Sequence, residues 1–294
     1  MILVTGSTGE LGKETMKALL QKAPANQIIA FARDPEKAKS YADQGATVTT
    51  GDYSDYESLV KAFRGVDKVL LITAPAFSEN SPEENAIKAA VEAGVRHLVY
   101  VSIQKKANSE TIIPGVTLRD IAAREALIHS GLTYTIIRNP LYTDALPFML
   151  GTDVLEKGVS FPSGNGRVPV ATRQDLAEAT ATILLSDQYN NADITLTNSK
   201  TWSFYDVANV LTDITCKSVP FMNLNRKEYV TYMEETGLPT RVAEFAADWA
   251  DAIRWGEFEE TNSALENILG RKPTDLKTYL SGVYKPQEDQ FHVQ

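Results

Sequence analysis

Three glycines stand three residues apart near the start of the chain, Gly6, Gly9 and Gly12. A short apolar run at 2–4 precedes them. A helical pattern follows, with Leu11, Met16, Leu19 and Leu20 on one side. Strand, glycine turn and helix in that order make an anion cradle. Glycine lets the backbone approach a ligand closely, and the helix start presents free N–H groups and the positive end of its dipole. The chemistry suited to such a turn is the binding of a dinucleotide pyrophosphate, so Thr5, Gly6, Ser7, Thr8, Gly9, Glu10, Leu11 and Gly12 are expected to hold one. The spacing is GxxGxxG, which meets the GxGxxG fingerprint only approximately.

Further candidates follow the other apolar runs. Arg33 stands just past the second run, where an adenosine ribose would lie. An arginine there favours a 2′-phosphate, and a carboxylate favours the free 2′-OH. Asp34 competes for the carboxylate role, but Pro35 behind it makes an N-cap the simpler use. The expected cofactor is therefore NADP(H), with NAD(H) as the alternative. Thr73, Ala74 and Pro75 follow the fourth run and are expected beside the ribose and pyrophosphate. Asn139, Pro140, Leu141 and Tyr142 follow the sixth and are expected to line the acceptor pocket, the first three also binding the cofactor and Tyr142 placed to stack on an aromatic acceptor. Phe148, Trp202 and Trp249 are read as core.

The elements that must position these residues are legible in the periodicity. Strand-like runs occur at 2–4, 27–32, 46–50, 68–73, 97–102 and 133–138. Amphipathic helical segments lie between them, at about 10–22, 35–44, 54–64, 81–93 and 116–130. Gly45, Gly65, Gly94 and Gly131 stand where helices should stop. Strands separated by helices imply right-handed crossovers and a parallel sheet covered on both faces. The expected fold is α/β: a Rossmann-type, doubly wound parallel sheet with a smaller, mostly helical C-terminal lobe. Residues 1–140 are assigned to the nucleotide-binding unit, with 167–197 returning to it. Residues 141–166 and 198–294 are assigned to a substrate-binding lobe.

Composition narrows the partners. The chain of 294 residues carries a formal charge of −9 with no long run of one sign, which argues against nucleic acid. No apolar stretch is long enough to span a membrane, and no signal-peptide pattern opens the chain. The single cysteine, Cys216, is expected to be a small core residue and excludes an intramolecular disulfide. The three histidines, His97, His129 and His292, have no metal-ligand spacing, so no metal is expected. A cytoplasmic setting fits these features.

With these residues in hand, the chain resembles the atypical short-chain dehydrogenase/reductase proteins of the NmrA-like group. Within that group it is most similar to type 2 NAD(P)H:quinone oxidoreductases and triphenylmethane-dye reductases. The resemblance covers nearly the whole chain. It rests on Val4-Thr-Gly-Ser-Thr-Gly-Glu-Leu-Gly12, Ala30-Phe-Ala-Arg-Asp-Pro-Glu-Lys-Ala38 and Gly51-Asp-Tyr53. It continues in Leu70-Leu-Ile-Thr73, Gly94-Val-Arg-His97, Tyr100-Val-Ser102 and Tyr134-Thr-Ile-Ile-Arg-Asn-Pro-Leu-Tyr-Thr-Asp144. It implies that Asp52 accepts from the adenine amino group and that Tyr53 lies along the ring. It also places Ser102 where the larger family keeps a catalytic Ser or Thr, so Ser102 and Tyr142 are the catalytic candidates.

One departure is informative. The larger family uses a Tyr-x-x-x-Lys pair as proton donor and ribose clamp, and no such pair occurs in this chain. The segment where it would fall reads Arg119-Asp-Ile-Ala-Ala-Arg-Glu125. Asp120 and Arg124 are four apart and are expected to pair on one helix face. The departure argues against alcohol dehydrogenase or epimerase chemistry. Hydride transfer to a quinone or dye-like electrophile needs less protein help, because positioning supplies much of the rate. The leading expectation is an NADPH-dependent reductase of a small aromatic or quinone-like acceptor. The alternatives are a non-catalytic NADP(H)-binding sensor that regulates a protein partner, and a reductase or isomerase of a specialised metabolite. A homodimer is compatible with each.

Overall fold

The computed structural model describes residues 1–72 and 82–285. Seven parallel strands form one sheet: β1 (Ile2–Val4), β2 (Ile28–Ala32), β3 (Thr47–Thr50), β4 (Lys68–Leu71), β5 (His97–Ile103), β6 (Thr133–Asn139) and β7 (Ala192–Thr195). Their order across the sheet is β7-β6-β5-β4-β1-β2-β3. The chain winds outward from β1 in one direction through β2 and β3. It then returns to β4 and winds outward the other way. This is the doubly wound Rossmann-type arrangement, whose ligand crevice lies where the winding reverses, outside the C-terminal strand ends of β1 and β4.

Five helices follow the first five strands: α1 (Glu10–Lys22), α2 (Lys39–Asp43), α3 (Tyr56–Phe63), α4 (Pro82–Glu92) and α5 (Thr117–Ile128). A sixth, α6 (Arg173–Leu184), precedes β7. Strands buried on both faces read as continuous apolar runs rather than alternating ones; Ile28–Ala32 is buried at every position. One face carries α3, α4 and α5 over Leu3, Phe31, Val69 and Leu98. The other carries α1 and α6 over Val4, Ala30, Leu70 and Val99.

Beyond β6 the chain builds a third core. Phe161 stacks on Phe204 with ring centroids 3.9 Å apart, and Tyr229 meets Phe161 edge-on at 5.4 Å. Helices Phe204–Thr215, Arg226–Glu235, Thr240–Arg254 and Leu276–Tyr284 surround this core. Helix Ala264–Leu269 instead packs Leu265 into the core beneath α1 and α6. Trp202 packs partly buried in the lobe, as expected. Cys216 does not meet its expectation. It is exposed and ends helix Phe204–Thr215 with φ +54°. No helix of the described residues is long and apolar enough to cross a membrane.

Candidate functional site

The glycine turn is built by close backbone approach. Gly6 has φ +60°, a left-handed conformation that favours glycine. A Cβ on Gly12 would lie 2.0 Å from the Gly6 carbonyl oxygen, so α1 can start against the turn only with glycine there. Gly9 differs. Its N–H donates to the Gly6 carbonyl at 2.9 Å, and a Cβ would sit 3.3 Å from that oxygen, close enough to need only a small adjustment. The protein itself therefore leaves the Gly9 face almost free, as a cradle for an approaching group requires.

Thr5 and Ser7 are turned away from the cradle. The buried Thr5 hydroxyl donates to the Leu70 carbonyl at 3.0 Å and accepts from the Ile72 N–H at 3.0 Å. Ser7 Oγ donates to the Phe31 carbonyl at 2.9 Å. These two hydroxyls fasten the turn to β4 and β2.

A cavity of about 1020 Å³ runs from this turn along the C-terminal ends of the strands. Gly6, Thr8, Gly9, Glu10, Leu11, Gly12, Arg33, Asp52 and Tyr53 line one end. Ser102, Asn139, Pro140, Leu141 and Tyr142 line the other. Thr73, Ala74 and Pro75 lie outside the described residues.

At the first end, Arg33 is 80% exposed and reaches Asp52 at 4.0 Å. Lys37 lines the same end, a second cation that the sequence reading did not single out. Asp34 is engaged locally, its Oδ1 accepting the Glu36 N–H at 3.0 Å. Asp52 Oδ1 accepts from both the N–H and the hydroxyl of Ser54, at 2.8 and 2.6 Å, and these bonds hold its pKa below the usual carboxylate value. The cap of α3 is Asp55. Tyr53 donates its hydroxyl to the Ile72 carbonyl at 2.7 Å, and burial pushes that hydroxyl far up.

The second end holds the main correction. Asp120 does not pair with Arg124. Arg124 turns outward to Asp193 at 2.8 Å, where Arg138 also binds. Asp120 turns inward, 6% exposed, and accepts the Tyr100 hydroxyl at 3.1 Å. Burial raises its pKa, while hydrogen bonds from Ser102 and Tyr100 oppose the shift. Tyr100 and Ser102 are two apart on β5 and so share a face; both line the cavity. Beside them, Arg119 binds both carboxylate oxygens of Glu83, at 2.9 and 2.7 Å. Ser102, 2% exposed, also donates a long 3.5 Å hydrogen bond to the Ile103 carbonyl. Asn139, 4% exposed, donates to the Tyr142 hydroxyl at 3.4 Å, and its Oδ1 has no hydrogen-bond partner among the described residues.

The second correction concerns aromatics. Phe148, expected in the core, is 51% exposed and lines this end; Trp249 packs against the lobe core as expected and also lines it, together with Tyr142 and Phe245. Trp249 stacks on Phe258 at 5.3 Å and meets Phe245 edge-on at 6.3 Å. Helix Thr240–Arg254 thus supplies two aromatic rings to the cavity. No sequence signal joins these rings to β6, because about a hundred residues, including α6, β7 and helices Phe204–Thr215 and Arg226–Glu235, lie between them.

The comparisons with known proteins can be set against this geometry. The model of the NAD(P)H-binding family matches residues 6–187, which run from the glycine turn past α6. The chain belongs to that family. It is 31% identical over 286 residues to quinone oxidoreductase 2 of Escherichia coli, covering 97% of this chain and 99% of that protein. Among solved structures, Citrobacter triphenylmethane reductase complexed with NADP(H) superposes with a TM-score of 0.90 at 36% identity, covering 96% of this chain and 99% of that one. The NADPH complex of the E. coli quinone oxidoreductase superposes with a TM-score of 0.88 at 30% identity, covering 97% and 100%.

Proposed function

We propose that this protein is an NADPH-dependent reductase of quinones or similarly conjugated, dye-like aromatic acceptors, and that it is of the short-chain dehydrogenase/reductase type. One observation carries the reading: a single cavity joins the glycine turn to an end lined by Tyr142, Phe148, Phe245 and Trp249. Flat rings suit flat acceptors, since offset and edge-on aromatic contacts contribute beyond area burial. The named activities of the E. coli and Citrobacter relatives support the same assignment.

The residues present fit the cofactor. Gly6 and Gly12 allow the turn, and the Gly9 face leaves room for the pyrophosphate at the start of α1. Arg33 and Lys37 offer charge to a 2′-phosphate, and Asp52 and Tyr53 frame the adenine end. When bound, NADPH supplies a hydride, so that quinone, hydride and one proton give the hydroquinone. Ser102, Asn139, Pro140 and Leu141 would hold the reacting end in place, and Tyr142 would set the plane of the acceptor. The sheet unit would hold the nucleotide, with helix Thr240–Arg254 roofing the acceptor end. The lone free thiol, Cys216, is exposed, which suits a reducing cytoplasm.

The test is loss of NADPH absorbance with a panel of quinones and triphenylmethane dyes, with NADH in parallel. Turnover of at least one class, faster with NADPH, is the expected result. Tight NADPH binding with no oxidation by any acceptor would overturn the enzyme reading and favour the sensor.

A further inference from the structure

Arg173 is the first residue of α6, directly after the Thr172 cap. Its guanidinium carbon lies 4.6 Å from the centre of the Tyr142 ring, and both residues line the acceptor end of the cavity. Helix stability does not account for an arginine there, because a cation at a helix start opposes the dipole. Ion pairing does not account for it either. Among the described residues Arg173 forms no salt bridge; its backbone N–H, not its guanidinium, binds Asp144, at 2.8 Å. Another arginine lining the cavity, Arg119, is answered by the Glu83 carboxylate. The buried Asn139 Oδ1, an acceptor with no hydrogen-bond partner among the described residues, marks the same end as a place for a ligand's donor group.

We infer that the acceptor is an aromatic or quinoid anion whose carboxylate or sulfonate is held by the Arg173 guanidinium while its ring lies against Tyr142. The inference rests on the reductase reading and narrows it. An arginine stacked on an aromatic face keeps its edge N–H groups free for two oxygens of a carboxylate or sulfonate. It also disfavours a delocalised cation on the same ring. This protein thereby separates from a reductase suited to cationic triphenylmethane dyes, although the folds superpose.

The experiment compares three acceptors: naphthoquinone sulfonate, the neutral menadione, and the cationic dye crystal violet. Each is assayed with the parent protein and with Arg173→Gln and Arg173→Lys. Reading each acceptor against itself removes differences in reduction potential. In Arg173→Gln, kcat/KM for the sulfonate should fall about tenfold or more, and that for menadione by less than about threefold. Arg173→Lys should keep part of the sulfonate preference through its charge. Equal losses for sulfonate and menadione would overturn the inference. A matching loss of NADPH affinity would also overturn it, by assigning Arg173 to the cofactor. Failure of the reductase reading is distinguishable: if no acceptor is reduced, calorimetric binding of the sulfonate to the NADP⁺-loaded protein still reports on Arg173. There, about tenfold weaker binding in Arg173→Gln supports the site, and equal affinity sinks it.

Discussion

The Tyr100 hydroxyl donates to Asp120 Oδ1 at 3.1 Å, tying the middle of β5 to the first turn of α5 inside the cavity. The link places a buried carboxyl on the helix where relatives with a Tyr-x-x-x-Lys pair would carry that pair. Its consequence for stability has a definite sign. Burial lifts the folded pKa of Asp120 above the ordinary 3.8. The folded state then holds a proton more tightly than the unfolded chain. The contribution of this group is fully present below 3.8 and lost as pH rises through the raised value. Asp120→Asn, which keeps an acceptor for Tyr100, should therefore raise Tm at pH 7 relative to the parent. That gain should shrink as the pH is lowered toward 4. A Tm difference that does not vary with pH would count against a raised pKa.

His97 acts in the opposite direction. It is fully buried, its Nε2 is 2.9 Å from Thr135 Oγ1, and burial with the nearby Lys68 and Arg96 charges lowers its pKa to about 4. A base with a depressed folded pKa contributes stability above its unfolded value of 6.5, and that contribution is lost as pH falls through 4. The full effect is on the order of 3 kcal/mol. Urea denaturation of His97→Gln and parent at pH 7 and pH 4 measures it. The parent should lose more stability than the variant across that interval, and equal losses would refute the assignment.

Gly9 and Gly12 separate folding from binding. In Gly9→Val the added Cβ would lie 3.3 Å from the Gly6 oxygen, a tight contact relieved by a shift of a few tenths of an ångström. The variant should keep a near-parental Tm while losing NADPH binding by calorimetry. Gly12→Ala must displace backbone, its Cβ falling 2.0 Å from the same oxygen. It should lower Tm and binding together. Parental NADPH affinity in Gly9→Val would show that the cofactor lies elsewhere.

Cofactor preference should rest on two cations. Arg33 is 80% exposed, so solvent screening holds its contribution near the low end of a charge-assisted contact, about tenfold in affinity. Arg33→Ala should remove about tenfold of the NADPH-over-NADH ratio of dissociation constants, and adding Lys37→Ala should remove most of the rest. Equal constants for the two nucleotides in the parent would sink the idea.

What the sequence made legible was local. β1, the glycine turn and α1 follow from a run of apolar residues, spaced glycines and helical periodicity within about twenty positions. Helix α5 shows where that logic stops. Its buried face is Thr117, Asp120, Ala123 and Leu127, while Leu118 is 63% exposed and Ile128 45%. The spacing of four suggested that Asp120 and Arg124 pair on one helix face. Only the sheet behind it, with the Tyr100 hydroxyl to satisfy, turned the carboxyl inward. The aromatic end of the cavity was hidden for a related reason. Tyr142 and Trp249 are more than a hundred residues apart, and a helix in the lobe, not a strand end, brings them together.

The last prediction concerns what the acceptor end can reduce. No Tyr-x-x-x-Lys pair is present, and Asp120 is engaged by Tyr100 and Ser102. Acceptors that concentrate negative charge on one oxygen, such as simple ketones, gain little stabilisation here. Acceptors that spread the incoming electrons over a ring need mainly correct placement. Tyr142 and Trp249 would provide that placement from opposite sides of the chain. Tyr142→Ala should therefore lower quinone kcat/KM by about 10- to 100-fold, on the order of 1.4–2.7 kcal/mol. Its NADPH dissociation constant should stay close to that of the parent. Trp249→Ala should act in the same direction. Steady-state kinetics with menadione and with an unactivated ketone such as cyclohexanone decide the matter. Robust cyclohexanone reduction by the parent protein would defeat a mechanism based on placement alone and would require a proton donor at this end.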